Sequence, residues 1–408
     1  MDQTLFCPRL FDGASMHHNA LLRCIGGAVV SVTPATSRTA SSAVRLPEDS
    51  IVSPGLIDIQ VNGGGGVLFN DTPTVEGITR IAAAHRMQGT TALLPTLITD
   101  LQSRMGEAVD AVRLACAQVP GVLGVHLEGP FLRAEKCGIH RQDWIAQFDT
   151  TQDVPRLTAL GNAGKTLITL APECVPAGSV RALRERGAIV FAGHSAASFE
   201  AVTAALEEGL DGFTHLFNAM APITGRAPGV VAAALCTPSS YAGLVLDGHH
   251  VARGSVALVR AARGVERIVL VSDAMPPAGT RNSSFILQGA TIRVEGGRCI
   301  DAAGTLAGAA ITLSDAVRIA TTQYGFTVEE ALACASSVPA RLLGLADQYG
   351  VLLAGARADV VVWDDSLHPS SVMQGGQWVR GLPETAVGAG STQAGSHRSS
   401  SSSAKVLP

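Results

Sequence analysis

Histidines and carboxylates fall repeatedly at the ends of short apolar runs. His126 and Glu128 close GVLGVHLEG (121–129), and His194 closes AIVFAGHS (188–195). His215 and Asn218 lie in GFTHLFN (212–218), Asp247 ends YAGLVLDG (241–248) with His249 and His250 behind it, and Asp273 falls in RIVLVSDA (267–274). A lone histidine at a strand end is more often a packing or rim residue than a ligand. The chain has only 11 histidines, however, and so many at equivalent places are hard to assign to packing. One glutamate and two histidines, Glu128, His194 and His215, suit a divalent first-row metal. Zinc is the default where thiolates are absent, with iron, cobalt or manganese as alternatives. Three protein ligands leave a position for water, whose pKa zinc lowers towards roughly 7. Asp273, alone on the last run, is the candidate to take that water's proton as general base and pass it on as general acid. These parts suit hydrolysis of an amide or ester-like bond.

A fourth polar pair sits in PGLIDIQVNGGGG (54–66). Gln60 and Asn62 are two apart, so on a strand they share a side. Neutral carboxamides are weak zinc ligands beside imidazole. Their expected work is hydrogen bonding to the metal's ligands or its water, which predicts one tightly bound ion per chain rather than two.

The elements that must position these residues are legible as an alternation. Eight apolar runs, at 51–61, 90–97, 121–129, 166–173, 188–195, 212–218, 241–248 and 267–274, are separated by stretches of helical period such as 76–88, 180–187, 198–209 and 252–264. Near-continuous apolar strands alternating with helices imply a parallel sheet covered by helices. Eight units predict an α/β fold, a (β/α)8 TIM-like barrel, whose active site lies at the carboxyl ends of its strands. An open doubly wound sheet is the alternative, but no GxGxxG follows a strand and no GxxxxGK[ST] is present.

Shorter β-like pieces occur at 1–50, about 281–305 and 346–382. The reading is a small β-sandwich domain built from both chain ends (1–50 and 346–383). It flanks a barrel over 51–345 that carries a β insertion near 281–305. Late helices are expected at 314–325 and 328–345. From 384 to 408 a Ser/Gly/Ala-rich tail is expected to be disordered.

With 408 residues, 47% hydrophobic and 16% charged, the chain can bury a large core. A formal net charge of −4 gives no reason to expect nucleic acid or an anionic membrane as partner. The eight cysteines are scattered without CxxC, no signal-peptide pattern opens the chain, and no apolar run approaches the roughly 20 residues of a membrane span. A soluble cytoplasmic protein is expected.

Taken in order, PGLIDIQVNG, HLEGPFL, GHSAAS, THLFNAM, DGHHV and VSDAM resemble the N-acetylglucosamine-6-phosphate deacetylase family of the amidohydrolase superfamily. HLEGPF and THLFNAM are the specific signals, and the closing ADVVVWD is similar to that superfamily's last sandwich strand. The resemblance implies Glu128, His194 and His215 as metal ligands and Asp273 as the proton carrier. It implies His140, in KCGIH, against the substrate's amide and sugar. It places Asn218, Ala219 and Leu306 along the sugar, and Arg226 and His250 on the phosphate. Arg226 would reach across a homodimer interface into the neighbouring active site. Relatives with two metals carry H-x-H where this chain has Gln60 and Asn62.

The implied substrate is a phosphosugar, N-acetyl-D-glucosamine 6-phosphate, split into glucosamine 6-phosphate and acetate. The rivals are an N-acetylgalactosamine-6-phosphate deacetylase, another N-acyl amidohydrolase, and a non-catalytic barrel. His249 is read as the spectator beside His250, and His17, His18 and His85 as structural or exposed.

Overall fold

The computed structural model describes residues 2–36 and 42–381, so the tail expected from 384 lies outside the described residues. The chain opens with β1 (Gln3–Phe11), β2 (Met16–Ile25), β3 (Ala28–Pro34), β4 (Val44–Arg45) and β5 (Ile51–Pro54). Next come β6 (Leu56–Val61), the short β7 (Gly63–Gly64) and β8 (Val67–Leu68), β9 (Thr90–Ile98), β10 (Gly124–Glu128) and β11 (Lys165–Leu170). β12 (Ile189–Ala192), β13 (Gly212–Phe213), β14 (Tyr241–Val245) and β15 (Ile268–Val271) follow. The remainder are β16 (Ser284–Leu287), β17 (Ala290–Glu295), β18 (Arg298–Ile300), β19 (Leu306–Ala309), β20 (Val360–Trp363), β21 (Pro369–Gln374) and β22 (Gln377–Arg380).

Eight of these form an all-parallel sheet in the order β15-β14-β13-β12-β11-β10-β9-β6. Its two ends meet: Val61 bridges Ala274, and Gly63 N–H donates to the Ala274 carbonyl at 2.8 Å. The α/β barrel expected from the alternation is therefore present. Seven helices connect its strands: α1 (Val75–Arg86), α2 (Gln102–Gln118), α3 (Thr150–Leu157), α4 (Ser179–Glu185), α5 (Phe199–Glu207), α6 (Gly229–Cys236) and α7 (Arg253–Arg263). After the barrel come α8 (Leu313–Gln323), α9 (Val328–Ala335) and α10 (Ser337–Leu342), so the expected helix over 328–345 is broken in two at Ser336.

Helix α1 shows the local logic. Thr74 Oγ1 accepts from Gly77 N–H at 3.1 Å, and Ile78, Ile81, Ala82 and His85 recur at helical spacing on the buried face. Inside the barrel, Val269 and Val271 share the face of Asp273, and Leu167 shares that of Thr169. With Leu94, Ile189, Phe191 and Val245 they form one buried cluster beneath the polar strand ends.

One feature differs from the sequence reading. The run 51–61 is not one barrel strand. β5 pairs with β1 and β20, while Leu56 onward joins the barrel. The chain changes sheets at Gly55, where any Cβ would run into the Thr91 side chain. The pieces near 281–305 stay apart from the terminal strands: β16 to β19 make their own antiparallel sheet. Strands from both chain ends form one mixed sheet, β22-β21-β20-β5-β1-β2-β3, with β4 beside β1. No described helix is long and apolar enough to cross a membrane.

Candidate active site

His194, His215 and Asp273 follow β12, β13 and β15 within two residues, and all three have positive φ, at 49°, 30° and 50°. Non-glycine residues there carry strain that the surroundings must hold. The bonds that hold it are visible. The His194 carbonyl accepts from Arg133 N–H at 2.9 Å, and the Asp273 carbonyl accepts from Ala309 N–H at 2.9 Å. Gly308 lets β19 approach this closely, since a Cβ on it would stand 2.7 Å from the Asp273 carbonyl oxygen. β13 is only two residues long, so His215 and Asn218 lie on the turn beyond it.

Glu128 Oε1 lies 2.9 Å from His194 Nε2 and 3.0 Å from His215 Nε2, and the two Nε2 atoms are 3.0 Å apart. All three side chains are buried. His194 Nδ1–H donates to the Lys136 carbonyl at 2.9 Å, so its Nε2 turns a lone pair inward. Lone pairs converging this closely on a carboxylate oxygen repel one another, and a divalent cation where they meet turns repulsion into ligation. The donor set fits such an ion, and it is the only group of its kind among the described residues. His126 is one layer deeper and turned away, bonded to Thr169 Oγ1 at 2.8 Å and Thr96 Oγ1 at 3.3 Å.

The amides of Gln60, in β6, and Asn62, one residue past it, reach the carboxylates. Gln60 Nε2 donates to Glu128 Oε2 at 3.1 Å and to Asp273 Oδ1 at 3.2 Å, and Asn62 Nδ2 donates to Asp273 Oδ1 at 2.6 Å. Burial and then the charge of Glu128 push the Asp273 carboxyl above its ordinary value, which suits a group that must both take and return a proton. His140 Nδ1 accepts from Thr99 N–H at 3.3 Å with Thr99 Oγ1 2.8 Å away, leaving the proton on Nε2, 3.9 Å from Glu128 Oε1. Burial, followed by His194, pushes the His140 pKa down to about 3, so the ring is a neutral donor into the cavity.

Asn62, Glu128, His140, His194, His215 and Asp273 share a cavity of about 400 Å³ with Asn218, Ala219, His250 and Leu306. That volume suits a small metabolite. Arg226 is not among the lining residues; it is exposed on the segment 221–228. Ile98, Ile139, Met275 and Thr305 also line the cavity, and Thr99 and Asp247 buttress it. The sequence reading singled out none of the first five. Ile98 and Thr99 directly follow the second apolar run, Ile139 and Thr305 adjoin His140 and Leu306, and Met275 closes VSDAM, which are the signals that could have found them.

Residues 51–386 match the model of the amidohydrolase family. The chain is 40% identical over 339 residues to N-acetylgalactosamine-6-phosphate deacetylase of Shewanella sp. (strain ANA-3), covering 83% of this chain and 84% of that one. It is 32% identical over 358 residues to N-acetylglucosamine-6-phosphate deacetylase of Haemophilus influenzae, covering 86% and 93%. Its fold superposes on the crystal structure of N-acetylglucosamine-6-phosphate deacetylase from Pasteurella multocida with a TM-score of 0.88 at 31% identity, over 93% of this chain and 100% of that one. With the barrel, the Glu-His-His centre and the facing aspartate in place, the chain belongs to the amidohydrolase family.

Proposed function

We propose that this protein hydrolyses the acetamide of N-acetyl-D-glucosamine 6-phosphate to D-glucosamine 6-phosphate and acetate, as a cytoplasmic step in amino-sugar catabolism or recycling. The observation that carries this reading is one cavity holding the Glu128–His194–His215 centre, the carboxylate of Asp273 and the imidazole of His250. Glu128, His194 and His215 would hold one divalent ion per chain, zinc as first choice, which would supply Lewis acidity and a more acidic water.

Asp273, held by Asn62 and Gln60, takes a proton from the attacking water. As the C–N bond breaks it returns that proton to the departing amine. His140 donates Nε2–H to the acetyl oxygen as negative charge gathers there. Asn218, Ala219 and Leu306 line the sugar, and His250 contacts the phosphate. Arg226, remote from its own cavity, completes the phosphate site of the neighbouring subunit in a homodimer. Phosphate binding far from the reacting bond converts binding energy into placement of the acetamide.

A second reading has a specific observation behind it: the relative at 40% identity carries the galactosamine name. Comparing kcat/KM for the two N-acetylhexosamine 6-phosphates tests the choice. A higher value for the glucosamine epimer is expected, and the reverse order overturns it.

A further inference from the structure

Two residues beyond β14, Asp247 has a fully buried side chain. Its Oδ1 accepts the backbone N–H groups of His249 and His250, each at 2.8 Å, and its Oδ2 stands 2.7 Å from His250 Nδ1. Both oxygens are therefore spent on the loop that carries His250. The His250 ring is itself only 5% exposed and lines the cavity. A carboxylate can only accept here, so Nδ1 carries a proton and Nε2 is the atom left for the cavity. The hydrogen bond to His250 and its charge hold the Asp247 carboxyl below the usual carboxylate range against the cost of burial.

We propose that Asp247 is a positioning residue for phosphate recognition: it fixes the His250 ring in one orientation and sets a negative charge behind it, so that Nε2–H meets the substrate's phosphate as a charged donor. The inference rests on the reading of His250 as a phosphate contact. A buried carboxylate behind an imidazole favours the imidazolium, and a charge-assisted bond to phosphate is roughly twice as strong as a neutral one. Asparagine at 247 separates charge from shape. Its carbonyl oxygen can still accept the two backbone N–H groups, but its NH₂ then faces His250 Nδ1. That nitrogen must accept instead, and the ring becomes neutral.

The test is steady-state kinetics of the metal-loaded enzyme on N-acetylglucosamine 6-phosphate and on free N-acetylglucosamine. For Asp247→Asn, kcat/KM for the phosphorylated sugar should fall about tenfold or more. The kcat/KM for the free sugar should stay as in the native enzyme. Equal losses on both sugars, or no loss on the phosphorylated one, overturn the proposal. His250→Gln separates the two layers of the claim. If it leaves the preference for the phosphorylated sugar intact, the phosphate reading itself fails. If it abolishes that preference while Asp247→Asn does not, only the role of Asp247 fails. Should Asp247→Asn not fold, the nitrogen-15 imidazole spectrum of the native holoenzyme with inorganic phosphate decides. Protons on both His250 nitrogens are expected, and an unprotonated Nδ1 refutes the proposal.

Discussion

Glu128, His194 and His215 meet within 3.0 Å, so an ion bound there would depend on all three. Glu128→Ala should lose bound metal and activity together, as metal analysis beside an acetate-release assay would record. Asp273→Asn should retain the metal and lose roughly 10²–10⁴ in kcat, the value of a lost proton-transfer group. Near-normal turnover in that variant would remove Asp273 from its role. At this scale the sequence was informative where side-chain type alone marks chemistry: a glutamate, two histidines and an aspartate at the ends of apolar runs. It was silent where the role lies in which atom is touched. Thr99, one residue past β9, is an ordinary threonine until its N–H is seen on His140 Nδ1, which settles where that ring keeps its proton. His126 shows the converse, since its place beside Glu128 looks like a ligand's and its ring is spent on two threonines.

Among the elements, β6 departs most from a regular strand. Its register against β9 shifts between Leu56 and Ile57 and again between Asp58 and Val61, so simple alternation does not describe which side chains face inward. Gln60 lies within the second shift and Asn62 one residue past β6, yet both amides reach Asp273 Oδ1. Asp58 fastens this irregular strand to the end of β15: its Oδ1 accepts from Gln60 N–H at 3.2 Å and Ser272 N–H at 3.3 Å. Its Oδ2 has no partner among the described residues, and burial pushes its pKa up to about 7. A carboxyl with a raised folded pKa stabilises fully below its unfolded pKa, and that stability is lost as pH rises through the folded value. The stability of the native chain relative to Asp58→Asn should therefore fall between pH 4 and 8, by about 4 kcal/mol in the limit, as read by denaturant unfolding at several pH values. A difference independent of pH would mean that Asp58 titrates alike in the folded and unfolded chain. Elements were legible where period and length agreed, as in α1. They were not where the chain changes sheets at Gly55: the Pro54–Gly55 step marks a break but not which half pairs with which partner.

For the molecule as a whole, eight strand–helix units carried the barrel, while the pairing of the short β pieces was not legible because antiparallel partners are chosen by the tertiary frame. The same holds for assembly. Arg226 is exposed and absent from its own cavity lining, as a residue acting on a neighbouring subunit would be. Arg226→Ala should lower kcat/KM for the phosphorylated sugar far more than for free N-acetylglucosamine, and equal losses on both would mean that Arg226 does not read phosphate. The proposed centre is one ion in one cavity, held by Glu128, His194 and His215, with the amides of Gln60 and Asn62 on the carboxylates beside it. The most direct test is to strip the protein of metal and titrate it with zinc while following acetate release from N-acetylglucosamine 6-phosphate. Activity should rise linearly and break at one equivalent per chain. A break at two equivalents, or no acetate at any loading, would contradict it.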